Sequence, residues 1–175
     1  EVVISDLPNT GLHPLKVFTF DDRQNLYVNV GSATNVCKKQ GFLFDKKSEC
    51  SEVEDKTVGQ AQVRKYFKNT DGSYSKNFVV FAKGLRNSMG LIWNKNIQTL
   101  IQAENSRDNI AEYNTKMPNI DLPHEEFNIL QEGQSYGWPY CYDNNQNNPE
   151  WSNFNCASQT PPHLLMPAHS SPLSL

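Results

Sequence analysis

The sequence predicts an all-β fold built from repeated antiparallel units with long loops, the pattern of a β-propeller. Three observations lead there. Apolar and polar residues alternate in successive short runs, helix-period stretches are scarce, and a basic or imidazole side chain recurs ahead of apolar strands.

Taken in order, "EVVISDLP" reads as a strand entering a turn. "KVFTFD", the polar turn "DRQN" and "LYVNVGS" make a hairpin, with alternating Val17, Phe18 and Phe20 on one side of the turn and Tyr27, Val28 and Val30 on the other. "QVRKYFKNTDGSYSKNFVVFAKG" is a second hairpin, with Asp71-Gly72 as its turn dipeptide. A third runs from Gly84, with strands over Met89–Trp93 and Thr99–Ala103 around the turn Asn94–Gln98. Residues 31–59, residues 106–135 and "NNQNNPEWSNFN" are polar excursions without clear periodicity, the kind of long loop that carries function or stays unstructured. "YGWP" reads as a buried aromatic turn, with Trp138 packing and Pro139 ending a strand. At the end "HSSPLSL" stops as an apolar strand begins. Both ends read as cut, so residues 1–175 are expected to be one partial domain, an internal piece of a larger protein.

The chain has 175 residues, a net charge of −3 and 16 dispersed basic residues, so nothing favours nucleic acid or an anionic membrane surface. There is no apolar run long enough for a transmembrane helix, and no signal peptide. The four cysteines form two local pairs, Cys37/Cys50 and Cys141/Cys156, without zinc-site spacing. Either four buried thiols or two loop disulfides would account for them. The polar flanks "NVCKKQ" and "SECSEV" favour disulfides, which imply an oxidising compartment.

The recurrent signal is "LHPLKVFTF", "LRNSMGLIW" and "AHSSPLSL", which set His13, Arg86 and His169 before apolar strands. In a propeller the first strand of each blade lines the central channel, so residues entering those strands converge on one axial site. "HEEFN" lacks the second His of a zinc protease helix and reads as a loop His beside solvated acids.

At these residues the sequence resembles the glucose/sorbosone dehydrogenase family, soluble six-bladed propellers that use pyrroloquinoline quinone (PQQ). The stretches that carry the resemblance are "GLHPLKVFTFDDRQNLYVNVGSATNVC", "GLRNSMGLIWNKNIQTLIQAENSRDN", "EEFNILQEGQSYGWPYC" and "PAHSSPLSL", with "YGWPYC" and "ENSRD" similar to the sorbosone-dehydrogenase-like branch. The resemblance implies about half of a six-bladed propeller. It implies oxidation of a small sugar, or a related alcohol or aldehyde, in the periplasm or outside the cell. It makes His13 the catalytic base and Arg86 both a catalytic residue and, with Asn87, a contact of the quinone, with His169 a further candidate cofactor contact at the channel. Imidazole suits a base because its unperturbed pKa lets it accept a proton at neutral pH. The family also binds calcium through carbonyls of the loop after the second strand, which fall here on Ser106 and Arg107. Arg107-Asp108 could equally be a surface ion pair of little energetic value. Ser88-Met89 departs from the family's usual continuation after the Arg-Asn pair. A partial ring leaves blade edges open, so the piece alone is not expected to catalyse. A non-catalytic propeller that binds carbohydrate or protein is the competing reading.

Overall fold

The computed structural model describes residues 3–37, 49–55, 57, 59–112 and 114–175. Strands β1 (Phe18–Phe20), β2 (Leu26–Val30), β3 (Gln62–Tyr66) and β4 (Val79–Lys83) follow one another in an antiparallel sheet, with a bulge between Val63 and Arg64. One helical turn, α1 (Ser51–Glu54), lies in the excursion between β2 and β3. The second sheet opens with β5 (Ser88–Asn94), β6 (Thr99–Glu104) and β7 (Glu125–Leu130). Three short strands follow: β8 (Gln134–Ser135), then β9 (Cys141–Tyr142) and β10 (Gln146–Asn147), which pair with each other. Finally β11 (Leu164–Met166) joins β7 and completes the second sheet in the order β11-β7-β6-β5.

The architecture is therefore all-β, as the alternation predicts, with two largely antiparallel sheets of the propeller-blade kind. Their first strands, β1 and β5, touch. Between the sheets lies a core of Tyr27, Val63, Phe81, Leu85, Leu100, Leu130 and Tyr136. Burying a side chain such as Leu100 or Leu130 completely contributes about 1.5–3 kcal/mol. No helix among the described residues is long and apolar enough to cross a membrane.

Three expectations are corrected. Residues 3–8 carry no strand, and neither does the terminal "SSPLSL". Residues 106–135 are not a structureless excursion, because they contain β7. Its "EEFNIL" begins with two glutamates that look solvated in sequence, yet both are buried. "YGWP" does more than pack aromatics. Gly133 N–H donates to Phe81 O (2.7 Å), Tyr136 N–H to Lys83 O (2.9 Å) and Trp138 N–H to Gly84 O (3.0 Å). With β8 pairing parallel to β4, this segment covers the open edge of the first sheet.

The cysteines form two disulfides, Cys37–Cys50 and Cys141–Cys156, with Cα separations of 6.1 and 5.9 Å. The polar flanks pointed to the right pairing for the wrong reason, since all four cysteines are buried. They pack with Trp138, Tyr140 and Trp151 in a second core. Replacing Cys141 and Cys156 together by serine is expected to cost about 2–5 kcal/mol in denaturant unfolding.

Candidate functional site

In antiparallel sheets the starts of odd-numbered strands and the ends of even-numbered ones lie at the same end. The segment before β1, the turn after β2, the turn before β5, the loop after β6 and the start of β7 therefore meet. Backbone bonds knit them: Leu12 N–H to Ala33 O (2.9 Å), Ser32 N–H to Arg86 O (2.7 Å) and Asn105 N–H to Asn87 O (3.0 Å).

His13 is half-buried there. Its Nδ1 lies 2.8 Å from Ser32 O and 3.0 Å from Ser32 Oγ, while that hydroxyl donates to Thr34 O (2.6 Å). A carbonyl can only accept, so Nδ1 carries the ring hydrogen and Nε2 keeps its lone pair. Burial lowers the His13 pKa to about 4, and the positive charge of Arg86 pushes the same way, against the Ser32 bond and Asp108. At neutral pH the ring is a neutral base with its tautomer fixed.

Gly31 makes this packing possible. A Cβ at Gly31 would lie 2.6 Å from His13 Cβ and 3.0 Å from His13 O. Gly31→Ala should therefore displace the ring. If His13 acts as the base that the resemblance implies, misplacing it by about 1 Å costs on the order of 10²-fold, so a loss of that size in rate, with the unfolding midpoint little changed, is the expected result. Activity within a few-fold of wild type would show that His13 tolerates the shift.

Arg86 is 5% exposed. Its Nη1 donates to Asn105 O (3.0 Å) and Ser106 O (2.8 Å), and its Nη2 to Asp108 Oδ2 (2.8 Å). Its Nε, also buried, has no hydrogen-bond partner among the described residues, and neither has Asn87 Oδ1. Both atoms are suited to an oxygen- or nitrogen-bearing ligand. Beneath Arg86 a cavity of about 20 Å³, room for one water, is lined in part by Arg86, Glu104, Ser106 and Glu126.

Glu104 and Glu126 pair directly across β6 and β7. Glu104 accepts from Asn87 N–H (2.8 Å), Ser88 Oγ (3.2 Å) and Gln102 Nε2 (2.5 Å), yet burial still pushes its carboxyl up to about 7. Glu126 accepts from Asn128 Nδ2 at 3.4 Å. Burial, reinforced by the charge of Glu104, holds its carboxyl well above the ordinary range. A group with a raised folded pKa stabilises below its unfolded pKa and loses that contribution as pH rises through the folded one. Glu126→Gln should therefore gain stability relative to wild type as pH rises from the ordinary carboxylate value toward the raised folded one, read as the difference in Tm across a pH series. A constant difference would mean that Glu126 ionises freely.

The structure brings His13, Arg86, Asn87, Ser106 and Arg107 to one end of the sheets. His169 is exposed at their margin, with Nε2 2.7 Å from Asn119 O, although its segment reaches inward through Ser171 N–H to Glu125 Oε1 (3.3 Å). Arg107 and Asp108 are not a pair with each other on the surface. Arg107 is buried against Glu150 at 2.7 Å, and Asp108 holds Arg86. His124 is paired with Asp143 at 2.8 Å. The Ser106 carbonyl is engaged by the Arg86 guanidinium, a cation that would repel calcium there. This arrangement does not fit calcium at Ser106.

Ser32, Glu104, Glu125 and Asp108 escaped the sequence reading. Ser32 acts largely through its carbonyl, which leaves no trace in residue type. Glu125, whose Oε2 accepts from Ser106 N–H at 2.5 Å, was hidden among charges read as solvated.

A family model described as TrAA12-like matches residues 1–175. A search of curated protein sequences finds no match. Among solved structures, the calcium structure of the Trichoderma reesei carbohydrate-active enzyme of family AA12 is similar over 98% of this chain and 47% of that one, at 23% identity and a TM-score of 0.73. Its iodide structure matches over 94% and 46%, at 22% identity and a TM-score of 0.71. The apo form of the soluble aldose sugar dehydrogenase from Escherichia coli matches over 87% and 39%, at 17% identity and a TM-score of 0.53. The chain thus spans less than half the length of each of these structures. At such identities the likeness concerns the fold. Matched along its whole length by the family model, the chain belongs to the TrAA12-like family.

Proposed function

We propose that this chain carries the proton-accepting part of a PQQ-dependent oxidoreductase acting on a sugar, or on a related alcohol or aldehyde. The observation that carries the reading is the fixed tautomer of His13 beside Arg86. His13 Nε2 takes the proton of the substrate hydroxyl while Ser32 holds the far side of the ring. PQQ, when bound, would supply the acceptor for the hydride that leaves the carbon bearing that hydroxyl. Arg86 and Asn87 would hold it, since Arg86 Nε and Asn87 Oδ1 are polar atoms in need of partners. A preorganised guanidinium stabilises negative charge developing on a quinone oxygen. Fold likeness to the AA12 enzyme and to the aldose sugar dehydrogenase supports this class of chemistry. The two disulfides support a periplasmic or extracellular setting.

A second reading, a propeller that binds carbohydrate or protein without catalysis, is favoured by one observation. Much of the donor capacity of Arg86 is spent internally on Asn105, Ser106 and Asp108. Reconstituting the full-length protein with PQQ and measuring dye reduction against a panel of sugars, alcohols and aldehydes separates the two. Turnover with at least one of them is expected. PQQ-independent binding of glycans with no dye reduction would favour the second reading.

A further inference from the structure

Arg86 is a buried cation, and such a group needs a counter-charge. Among the described residues direct contact comes from one carboxylate, Asp108, at 2.8 Å. The two are unequally placed: the Arg86 side chain is 6% exposed and that of Asp108 61%. Geometry adds a second asymmetry. Nη1 is committed to two carbonyls, whereas Nε and Nη2 form the other edge of the guanidinium fork, the edge that grips two oxygens side by side. Asp108 takes Nη2 with one oxygen, and Nε is left without a partner among the described residues. The fork is half used.

The backbone of Asp108 is pinned while its carboxylate is exposed. Asn35 Nδ2 donates to Asp108 O (2.9 Å), and Asp108 N–H donates to Asn35 Oδ1 (2.9 Å). Asn35 is itself held, because its carbonyl accepts from Trp138 Nε1 at 3.0 Å. The clasp holds the loop through backbone groups of Asp108, independently of where its carboxylate lies.

We propose that Asp108 is a resident counter-ion, displaced when a planar group with two adjacent oxygens enters the fork of Arg86, and that it sets the affinity for such anionic ligands. The inference rests on the functional reading above for the identity of the ligand, PQQ, but not for the principle. The carboxylate competes with the ligand for Nη2 and repels it by like charge. Two carbonyls still hold Arg86 when Asp108 is gone, so removing the charge should tighten binding rather than loosen it.

The test is equilibrium titration of the full-length apoprotein, wild type and Asp108→Asn, followed by intrinsic fluorescence, with PQQ as one probe and oxalate as another. Asp108→Asn is expected to bind PQQ about tenfold more tightly at low ionic strength, with the gain shrinking as salt is added. Equal or weaker binding by Asp108→Asn would overturn the proposal and make Asp108 a residue that positions Arg86. If wild type binds no PQQ, the cofactor reading fails, and oxalate decides the inference alone. Tighter oxalate binding by the variant upholds it, and unchanged or absent binding overturns it.

Discussion

Arg107→Ala is expected to destabilise the protein by about 3–5 kcal/mol, because it strands a buried carboxylate. Arg107 and Glu150 meet at 2.7 Å with side chains 2% and 4% exposed. Arg107 Nη1 also donates to Asn148 Oδ1 (3.2 Å), and Asn148 Nδ2 binds the carbonyls of Pro139 (2.8 Å) and Cys141 (3.1 Å). The pair thus joins the loop after β6 to the disulfide-bonded core. The adjacent Ser106 carbonyl receives Arg86, so the damage should reach the candidate site as well. Removing both partners should cost less than the two single losses combined, since no lone charge then stays buried. Urea unfolding of Arg107→Ala, Glu150→Ala and the double variant measures this. A loss below about 1 kcal/mol for Arg107→Ala would mean that water reaches the pair in solution.

That pair also marks where reading from sequence stops. Strands β2, β5 and β6 were legible because alternation and a polar turn point to one local answer. Strand β7 was not, because Glu125 and Glu126 break the apolar pattern at its start. They are buried for the sake of the site: Glu125 binds the Ser106 amide, and Glu126 faces Glu104 across the ladder. Sites override local pattern in this way. The loop "ENSRD" was visible as charged, but whether Arg107 reaches solvent or Glu150 depends on where residues 149–151 fold back. No local pattern encodes that.

For the site, the convergence of His13 and Arg86 was legible from their shared place ahead of apolar strands, given a propeller. The groups that tune them were not. Ser32 binds His13 through a carbonyl that any residue possesses, and only Gly31 beside it carries a steric reason for its identity. Asp108 could be read as an acid, but its choice of Arg86 over Arg107 is a matter of tertiary geometry.

His13→Ala should lower the rate of substrate oxidation by about 10²–10⁴-fold, the usual contribution of a positioned general base. The pH profile is the sharper test. With the folded pKa lowered to about 4, wild type keeps its base form, and therefore its rate, from neutral pH down to about 5. The fall should centre near 4, not at the 6.5 of a free imidazole. The linkage has the matching sign. A depressed folded pKa stabilises the protein above the unfolded value, and that contribution is lost as pH falls through the folded one. Wild type should therefore lose stability between pH 6.5 and 4 through His13, and His13→Ala should lose less over the same window. Asp108 opposes the shift and Arg86 reinforces it, so Asp108→Asn should move the rate break to lower pH and Arg86→Gln to higher. Opposite displacements by these two variants would tie the break to His13, because a titrating substrate or a global acid transition has no reason to respond to them in opposite directions. A break centred near 6.5 in wild type would instead place the ring in water and end its assignment as a buried base.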